Sequence, residues 1–214
     1  MKVKISILLL LIIIFSPGTG FNAQNKRPGE LRFYINSHLS TTTRIEYNEK
    51  GDVLKMSSYE NTKLTDYAKY KYDTDGRLSF ERTYDPSNIL LRTRKYYHDE
   101  SGLVTEEKVY SPAGVLIEYL TITWNNKKIQ KIDYFHTDDN LFQTIEFNYS
   151  KNLLNTMIFN KVGKYIMIMK AVYDKDMLLI GHNIKHSNAE INIETKYIYE
   201  DGYATDQALQ LIFR

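Results

Sequence analysis

Apolar and polar residues alternate along most of this chain in short runs, and aromatic residues close many of them. Ile45 and Tyr47, Tyr70 and Tyr72, Ile122 and Trp124, Phe147 and Tyr149, and Tyr197 and Tyr199 each stand two positions apart. In a β-strand such pairs share one face. A polar turn follows each closing aromatic, as in Asn48-Glu49-Lys50-Gly51, Asp73-Thr74-Asp75-Gly76, Asp99-Glu100-Ser101-Gly102 and Ser111-Pro112-Ala113-Gly114. Glycine suits the position of a tight hairpin turn where φ is positive, and Asn88 and Asn140 are read as its substitutes. Leu54, Leu78, Leu103, Leu116 and Leu141 are read as the apolar residues that restart the chain. One strand and one turn fill about a dozen residues, and two such units make a hairpin.

The pattern repeats. Tyr47, Tyr72, Tyr97, Trp124, Tyr149, Tyr173 and Tyr199 follow at spacings of 25, 25, 27, 25, 24 and 26. Half a period away, Tyr59, Tyr84, Tyr110, Phe135 and Phe159 follow at 25, 26, 25 and 24. Turns this short force sequential strands to pair antiparallel. The expected fold is therefore all-β: an antiparallel meander of about 14 strands built from 25-residue hairpin repeats, forming a twisted and curled sheet or an open barrel. The first strand is expected over Leu31 to His38, and no helix is expected after the N-terminal segment. Residues 161–214 are less regular, with weaker turns at Asp174–Asp176 and His186–Ala189, and are read as a cap.

Tyr70-Lys71-Tyr72-Asp73-Thr74-Asp75-Gly76-Arg77-Leu78 resembles the tyrosine–aspartate (YD) repeat of bacterial Rhs-type and related cell-envelope proteins, which runs aromatic-x-Tyr-Asp-x-x-Gly-Arg-Leu. Tyr84-Asp85-Pro86-Ser87-Asn88 and Tyr110-Ser111-Pro112-Ala113-Gly114 are degenerate copies. The resemblance covers residues 45–160 and implies a β-scaffold. The chain is similar to the short exported YD-repeat proteins rather than to the large members that enclose a toxin.

The N-terminus changes the picture of where the protein works. Lys2 and Lys4 precede an apolar run from Ile5 to Phe15, broken by Ser6, and Pro17, Gly18 and Gly20 follow. That run is too short to span a bilayer and reads as a signal peptide, residues 1–23, cleaved after Ala23 or, alternatively, after Gly20. A short disordered lead, 24–30, and a single repeat domain, 31–214, are expected. The protein is expected to be exported, to the periplasm, the cell surface or the medium, with no transmembrane segment left after cleavage. Without cysteine there is no lipid-anchor site, disulfide or thiolate ligand. Once Lys2 and Lys4 are removed, the 28 basic residues fall to 26 and match the 26 acidic ones. The charges are interspersed, which argues against nucleic acid as a partner.

Candidate chemistry is sparse. Asp73-x-Asp75-Gly76 resembles half of a calcium loop, and Asp138-Asp139-Asn140 makes a second acidic turn, but neither has the downstream Glu of a full loop. Of His38, His98, His136, His182 and His186, only the last two are close, and about 13 Å of strand would separate them. No nucleophile-elbow, zinc-protease or phosphate-loop motif occurs. No catalytic residue, metal site or cofactor is assigned, and the protein is read as a non-enzyme. The 18 tyrosines carry the remaining hypothesis. Tyr47, Tyr72, Tyr97, Trp124 and Tyr149 either pack as cross-strand pairs or form an aromatic platform for a protein or a polysaccharide. The function expected is a binding or structural scaffold of the cell envelope. The alternatives are a periplasmic carrier holding a hydrophobic ligand in a curled sheet and, more remotely, an outer-membrane barrel.

Overall fold

The structure, a computed structural model, describes residues 28–151, 153–161, 164–173, 179–186 and 192–199. The signal segment, the turns at Asp174–Asp176 and His186–Ala189 and the last fifteen positions lie wholly or mostly outside them. Fourteen strands follow in order: β1 (Pro28–Ile35), β2 (His38–Tyr47), β3 (Val53–Glu60), β4 (Lys63–Tyr72), β5 (Leu78–Tyr84), β6 (Leu90–His98) and β7 (Val104–Tyr110). The second half comprises β8 (Leu116–Asn125), β9 (Lys128–His136), β10 (Leu141–Ser150), β11 (Leu153–Lys161), β12 (Lys164–Tyr173), β13 (Leu179–His186) and β14 (Asn192–Tyr199). Each strand pairs antiparallel with the next, and β1 pairs with β14 from Pro28↔Tyr199 to Ile35↔Ile193, so the meander closes into a barrel. Closure removes both sheet edges and leaves no unpaired strand among the described residues to template aggregation. The first strand starts at Pro28, three residues before the expected Leu31, because pairing with β14 extends it into what was read as disordered lead.

Two turn types alternate with local sequence. Asn36-Ser37, Asn61-Thr62 and Asn126-Lys127 have positive φ at both residues, the two-residue hairpin turn that matches strand twist. Longer turns carry one positive-φ residue: Gly51, Gly76, Asn88, Gly102, Gly114 and Asp139. Asn88 thus substitutes for glycine as expected. In the β9–β10 turn, however, Asp139 takes that place and Asn140 does not. The first residue of the long turns caps them. Asp73 Oδ1 accepts the Asp75 and Arg77 amides at 3.0 and 2.8 Å, Asp85 Oδ1 accepts Ser87 and Ile89 at 2.9 and 2.8 Å, and Asp99 Oδ1 accepts Leu103 at 3.0 Å. The aspartate of the Tyr-Asp motif therefore holds its own turn, and the carboxylate read as half a calcium loop is spent on amides.

A β-bulge or irregularity interrupts the register of every strand pair except β13–β14. Bulges bend and twist a strand, and repeated around the sheet they supply the curvature that closure needs. They also shift the side-chain phase by one. The buried strand-starting residues are Val53, Leu78, Val104, Ile129, Leu154 and Leu179, each at most 1% exposed. The expected restart residues Leu54 and Leu141 are instead exposed, and Leu103 and Leu116 only half-buried.

The inner face is a single hydrophobic core drawing on strands around the whole barrel, from Leu31 and Phe33 through Met56, Leu120, Ile132 and Ile145 to Ile184 and Tyr197. These side chains are buried against one another, so the barrel is filled where they meet. Gly181 lies where β13 approaches β14 so closely that a Cβ there would stand 2.1 Å from the Thr195 carbonyl oxygen.

Candidate functional site

The two aromatic series divide between the faces. Tyr47, Tyr72, Trp124 and Tyr149 are inward, half-buried, and packed on the core at the rim where even-numbered strands end. Three of them brace the wall, together with Tyr173. Tyr72 Oη donates to the Val53 carbonyl at 3.1 Å, Trp124 Nε1 to Val104 at 2.7 Å, Tyr149 Oη to Ile129 at 3.0 Å and Tyr173 Oη to Leu154 at 2.7 Å. Each acceptor belongs to the buried residue at the start of the preceding strand, beside the bulge, where the backbone ladder is interrupted. Tyr149 also borders an open groove of about 590 Å³ with Asn125, Asn126, Lys128 and Gln130. Tyr97 breaks the series. It faces outward, 40% exposed, with the Lys108 ammonium 5.0 Å over its ring, and the inward position of that repeat belongs to His98. The spacing of 27 between Tyr97 and Trp124 is the trace of this offset. The five residues read as a platform thus form no common surface.

Replacing Tyr72 by Phe should lower stability by about 1 kcal/mol, the usual cost of one lost hydrogen bond, measured by urea denaturation. Replacing it by Ala should cost about 3 kcal/mol or more, since the ring itself packs on the core.

Sequence reading missed the ionic group inside the barrel. Glu81 on β5, Arg94 on β6 and Glu107 on β7 are 0, 1 and 1% exposed. Arg94 Nη1 donates to Glu81 Oε1 at 2.8 Å. Arg94 Nε faces Glu107 Oε1 at 2.9 Å, an ion pair without hydrogen-bond alignment, and Nη2 has no hydrogen-bond partner. Thr83 Oγ1 and Tyr96 Oη donate to the two Glu81 oxygens at 2.9 and 3.3 Å, and Arg92 Nε donates to Thr83 Oγ1 at 3.2 Å. Two carboxylates share one buried guanidinium. Burial pushes the Glu107 carboxyl up to about 7; Arg94 pulls it down and the Glu81 charge adds to the rise. On the opposite wall, burial pushes His182 down to about 4, its Nδ1 lying 3.0 Å from Tyr197 Oη.

These two groups act in opposite directions on stability. Glu107 holds its proton in the folded chain after the unfolded chain has released it near the ordinary glutamate value. Its contribution is complete below about pH 4.3 and is lost as pH rises toward 7. His182 stays neutral when folded, so its contribution is present above about pH 6.5 and is lost as pH falls toward 4. The two slopes offset each other in the wild type, and a variant separates them. Glu107→Gln should gain stability relative to wild type between about pH 4.5 and 7.5, by up to about 3 kcal/mol at roughly 1.4 kcal/mol per pH unit. Thermal melting of both proteins across that range checks it.

The second aromatic series builds the outer wall. Tyr59, Tyr84, Tyr110 and Phe135 pair across strands with the outward positions Thr42, Tyr67, Thr93 and Tyr119. Phe159 departs from them: it pairs with Ile145 and is buried in the core. The Tyr67 and Tyr84 rings stack at 5.2 Å and those of Tyr119 and Phe135 at 4.9 Å. Cations lie over the rings: Arg44 on Tyr59, Lys55 and Lys69 on Tyr67, Lys71 and Arg82 on Phe80, and Lys95 on Tyr110, at 4.9 to 5.6 Å. The half-period spacing marks this series in the sequence. Nothing in the sequence marks Glu81, Arg94 and Glu107, because every repeat carries charges.

No family model and no curated protein matches this chain. Among solved structures, it is similar to a porin-like protein from Bacteroides uniformis, at 11% identity and a TM-score of 0.48, over 80% of this chain and 96% of that one. It is also similar to parts of two toxin structures. One is the Photorhabdus luminescens Tc holotoxin pore, at 14% identity and a TM-score of 0.26 over 68% of this chain. The other is TcdB2-TccC3 without its hypervariable C-terminal region, at 13% identity and a TM-score of 0.34 over 81%. The chain spans about a tenth of each toxin chain, 9% and 11%.

Proposed function

We propose that this protein is an exported, non-enzymatic scaffold of the cell envelope whose outer sheet face presents tyrosine and lysine to a protein or glycan partner. The observation that carries the reading is the division of faces: one aromatic series, Tyr97 apart, fills and braces the interior, while the other, Phe159 apart, is set outward on a wall that carries cations. Tyrosine in such a position offers a rigid apolar face and a hydroxyl for hydrogen bonding. The interior supports a hydrophobic-ligand carrier less well, since its aliphatic lining is buried in mutual contact and a ligand needs an open pocket. Cations in mid-strand on the outer face do not suit a lipid-facing band, where each costs about 2–4 kcal/mol near the midplane.

Glycan-array binding of the mature protein beside Tyr84→Thr/Tyr110→Thr tests the reading. Binding by wild type that the double variant loses is the expected result. Equal binding by both, or lipid co-purifying with the native protein, would favour another role. N-terminal sequencing of the processed protein should begin near Gln24 or Phe21, and recovery of the unprocessed chain from the cytoplasm would contradict export.

A further inference from the structure

On β1 to β3, β7, β9 and β14, outward cations are matched by carboxylates; the exposed Lys170 and Lys185 on β12 and β13 are not matched among the described residues, but they stand opposite uncharged residues. Arg32 and Arg44 both meet Glu30, Lys55 meets Glu46, Lys108 meets Glu106, Lys131 meets Asp133 and Lys196 meets Glu194. The wall of β4, β5 and β6 departs from this rule. From Tyr67 to Tyr97 its outward residues are Tyr67, Lys69 and Lys71, then Phe80, Arg82 and Tyr84, then Leu91, Thr93, Lys95 and Tyr97. There are four cations and no carboxylate, and none of Lys69, Lys71, Arg82 or Lys95 forms an ion pair among the described residues.

The strand register makes the imbalance costly. Lys69 stands directly opposite Lys55 on one side and Arg82 on the other, and Lys95 stands opposite Lys108. Like charges directly opposite in a sheet are destabilising. Lys69, Lys71, Arg82 and Lys95 are nevertheless exposed, and the rings hold them against the wall rather than letting them spread into solvent. Lys71 and Arg82 lie 5.4 and 4.9 Å over Phe80, and Lys69 lies 5.6 and 5.7 Å over Tyr67 and Tyr84. With neighbouring strands about 4.8 Å apart, the cations form two adjacent rows: Lys55, Lys69 and Arg82 across β3 to β5, about 10 Å long, and Lys71, Lys95 and Lys108 across β4 to β7, about 14 Å long, with Phe80 between Lys71 and Lys95.

Resting on the scaffold reading, we infer that this strip binds a linear acidic polysaccharide laid across the strands, its anionic groups meeting Lys69, Lys71, Arg82 and Lys95. An anionic chain relieves the repulsion among these facing cations. A nucleic acid fits less well, because single-stranded binding needs ring faces free for bases, and here Tyr67 and Tyr84 stack on each other while cations cover Phe80 and Tyr110. The strip is a convex charged wall, so affinity comes from ion pairing and is sensitive to salt.

The test uses the mature protein with three polymer probes in calorimetry: polygalacturonate, neutral dextran and single-stranded poly-dT. Polygalacturonate should bind, dextran should not, and poly-dT should bind more weakly. Binding of polygalacturonate should weaken about tenfold or more between about 50 and 200 mM salt. Lys69→Gln/Lys95→Gln should weaken it by a similar factor while its melting temperature stays level or rises, since like-charge repulsion is removed. Lys170→Gln, on the exposed face of β12, should leave binding unchanged. Unaltered affinity in the double variant, no binding of polygalacturonate, or tighter binding of poly-dT would overturn the inference. If polygalacturonate fails while a neutral glycan is held in a Tyr84- and Tyr110-dependent way, the scaffold reading survives and only the acidic ligand is wrong.

Discussion

Replacing Arg94 by Met should destabilise the protein by about 3–5 kcal/mol at about pH 8, the cost of leaving buried charge without its partner. The substitution keeps an unbranched chain of similar reach, so the lost term is mainly the guanidinium. Glu81 and Glu107 would then face each other in the barrel interior with no cation between them. The Glu107 carboxyl, already raised by burial, would lose the pull of Arg94 that holds it down. A raised carboxyl contributes stability below the unfolded value that is lost as pH increases, so the penalty should shrink at about pH 5, where the native state takes up protons. Urea is the suitable denaturant, since a salt denaturant would screen the charges. Removing all three charges together, as Glu81→Gln, Arg94→Met and Glu107→Gln, should recover much of the loss, because ion groups replaced as a set are often neutral. A single-variant loss below about 1 kcal/mol at pH 8 would mean that water reaches the cluster.

Gly181→Ala should cost about 3 kcal/mol or more, at the top of the range for overpacking. Its φ is not in the left-handed region, so the reason is space alone. The added methyl would lie 2.1 Å from the Thr195 carbonyl oxygen. That atom is backbone and cannot rotate away, so β13 and β14 must part where Gly181 pairs with Lys196. Gly76→Ala is the control. Its φ is +76°, but nothing lies within 4 Å of the added methyl, so only the backbone penalty of about 1–2 kcal/mol applies. Hydrogen exchange should report faster opening of β13 and β14 in Gly181→Ala and little change there in Gly76→Ala. Equal losses in the two variants would show that β13 and β14 do not approach as closely as described.

How far the chain could be read depended on which physics is local. Alternation, aromatic spacing and turn composition act within about a dozen residues, and they predicted an all-β antiparallel meander of about 14 strands. Asn88 at positive φ was legible because few residues other than Asn and Gly adopt that conformation readily. Phase was less legible. One bulge moves every following side chain to the other face, and that is why Leu54 is outside while Val53 is inside, and why His98 stands where Tyr97 was expected. The candidate platform of Tyr47, Tyr72, Tyr97, Trp124 and Tyr149 rested on the assumption that equal spacing means equal orientation. Four of the five do share an orientation, but it points inward, and the polar atoms of Tyr72, Trp124 and Tyr149 go to backbone carbonyls.

By itself the sequence determined the strand order, the hairpin connections, the repeat and the polar turns that open at Asp73 and Asp99, because each depends on neighbours along the chain. Tertiary structure alone decided the closure of β1 on β14, the meeting of Glu81, Arg94 and Glu107, and the row in which Lys55, Lys69 and Arg82 face one another. Those pairings depend on strand register and on curvature summed over the whole sheet. A shift of one residue in the pairing of β5, β6 or β7 would have sent that strand's buried charge to solvent and its exposed charge into the core.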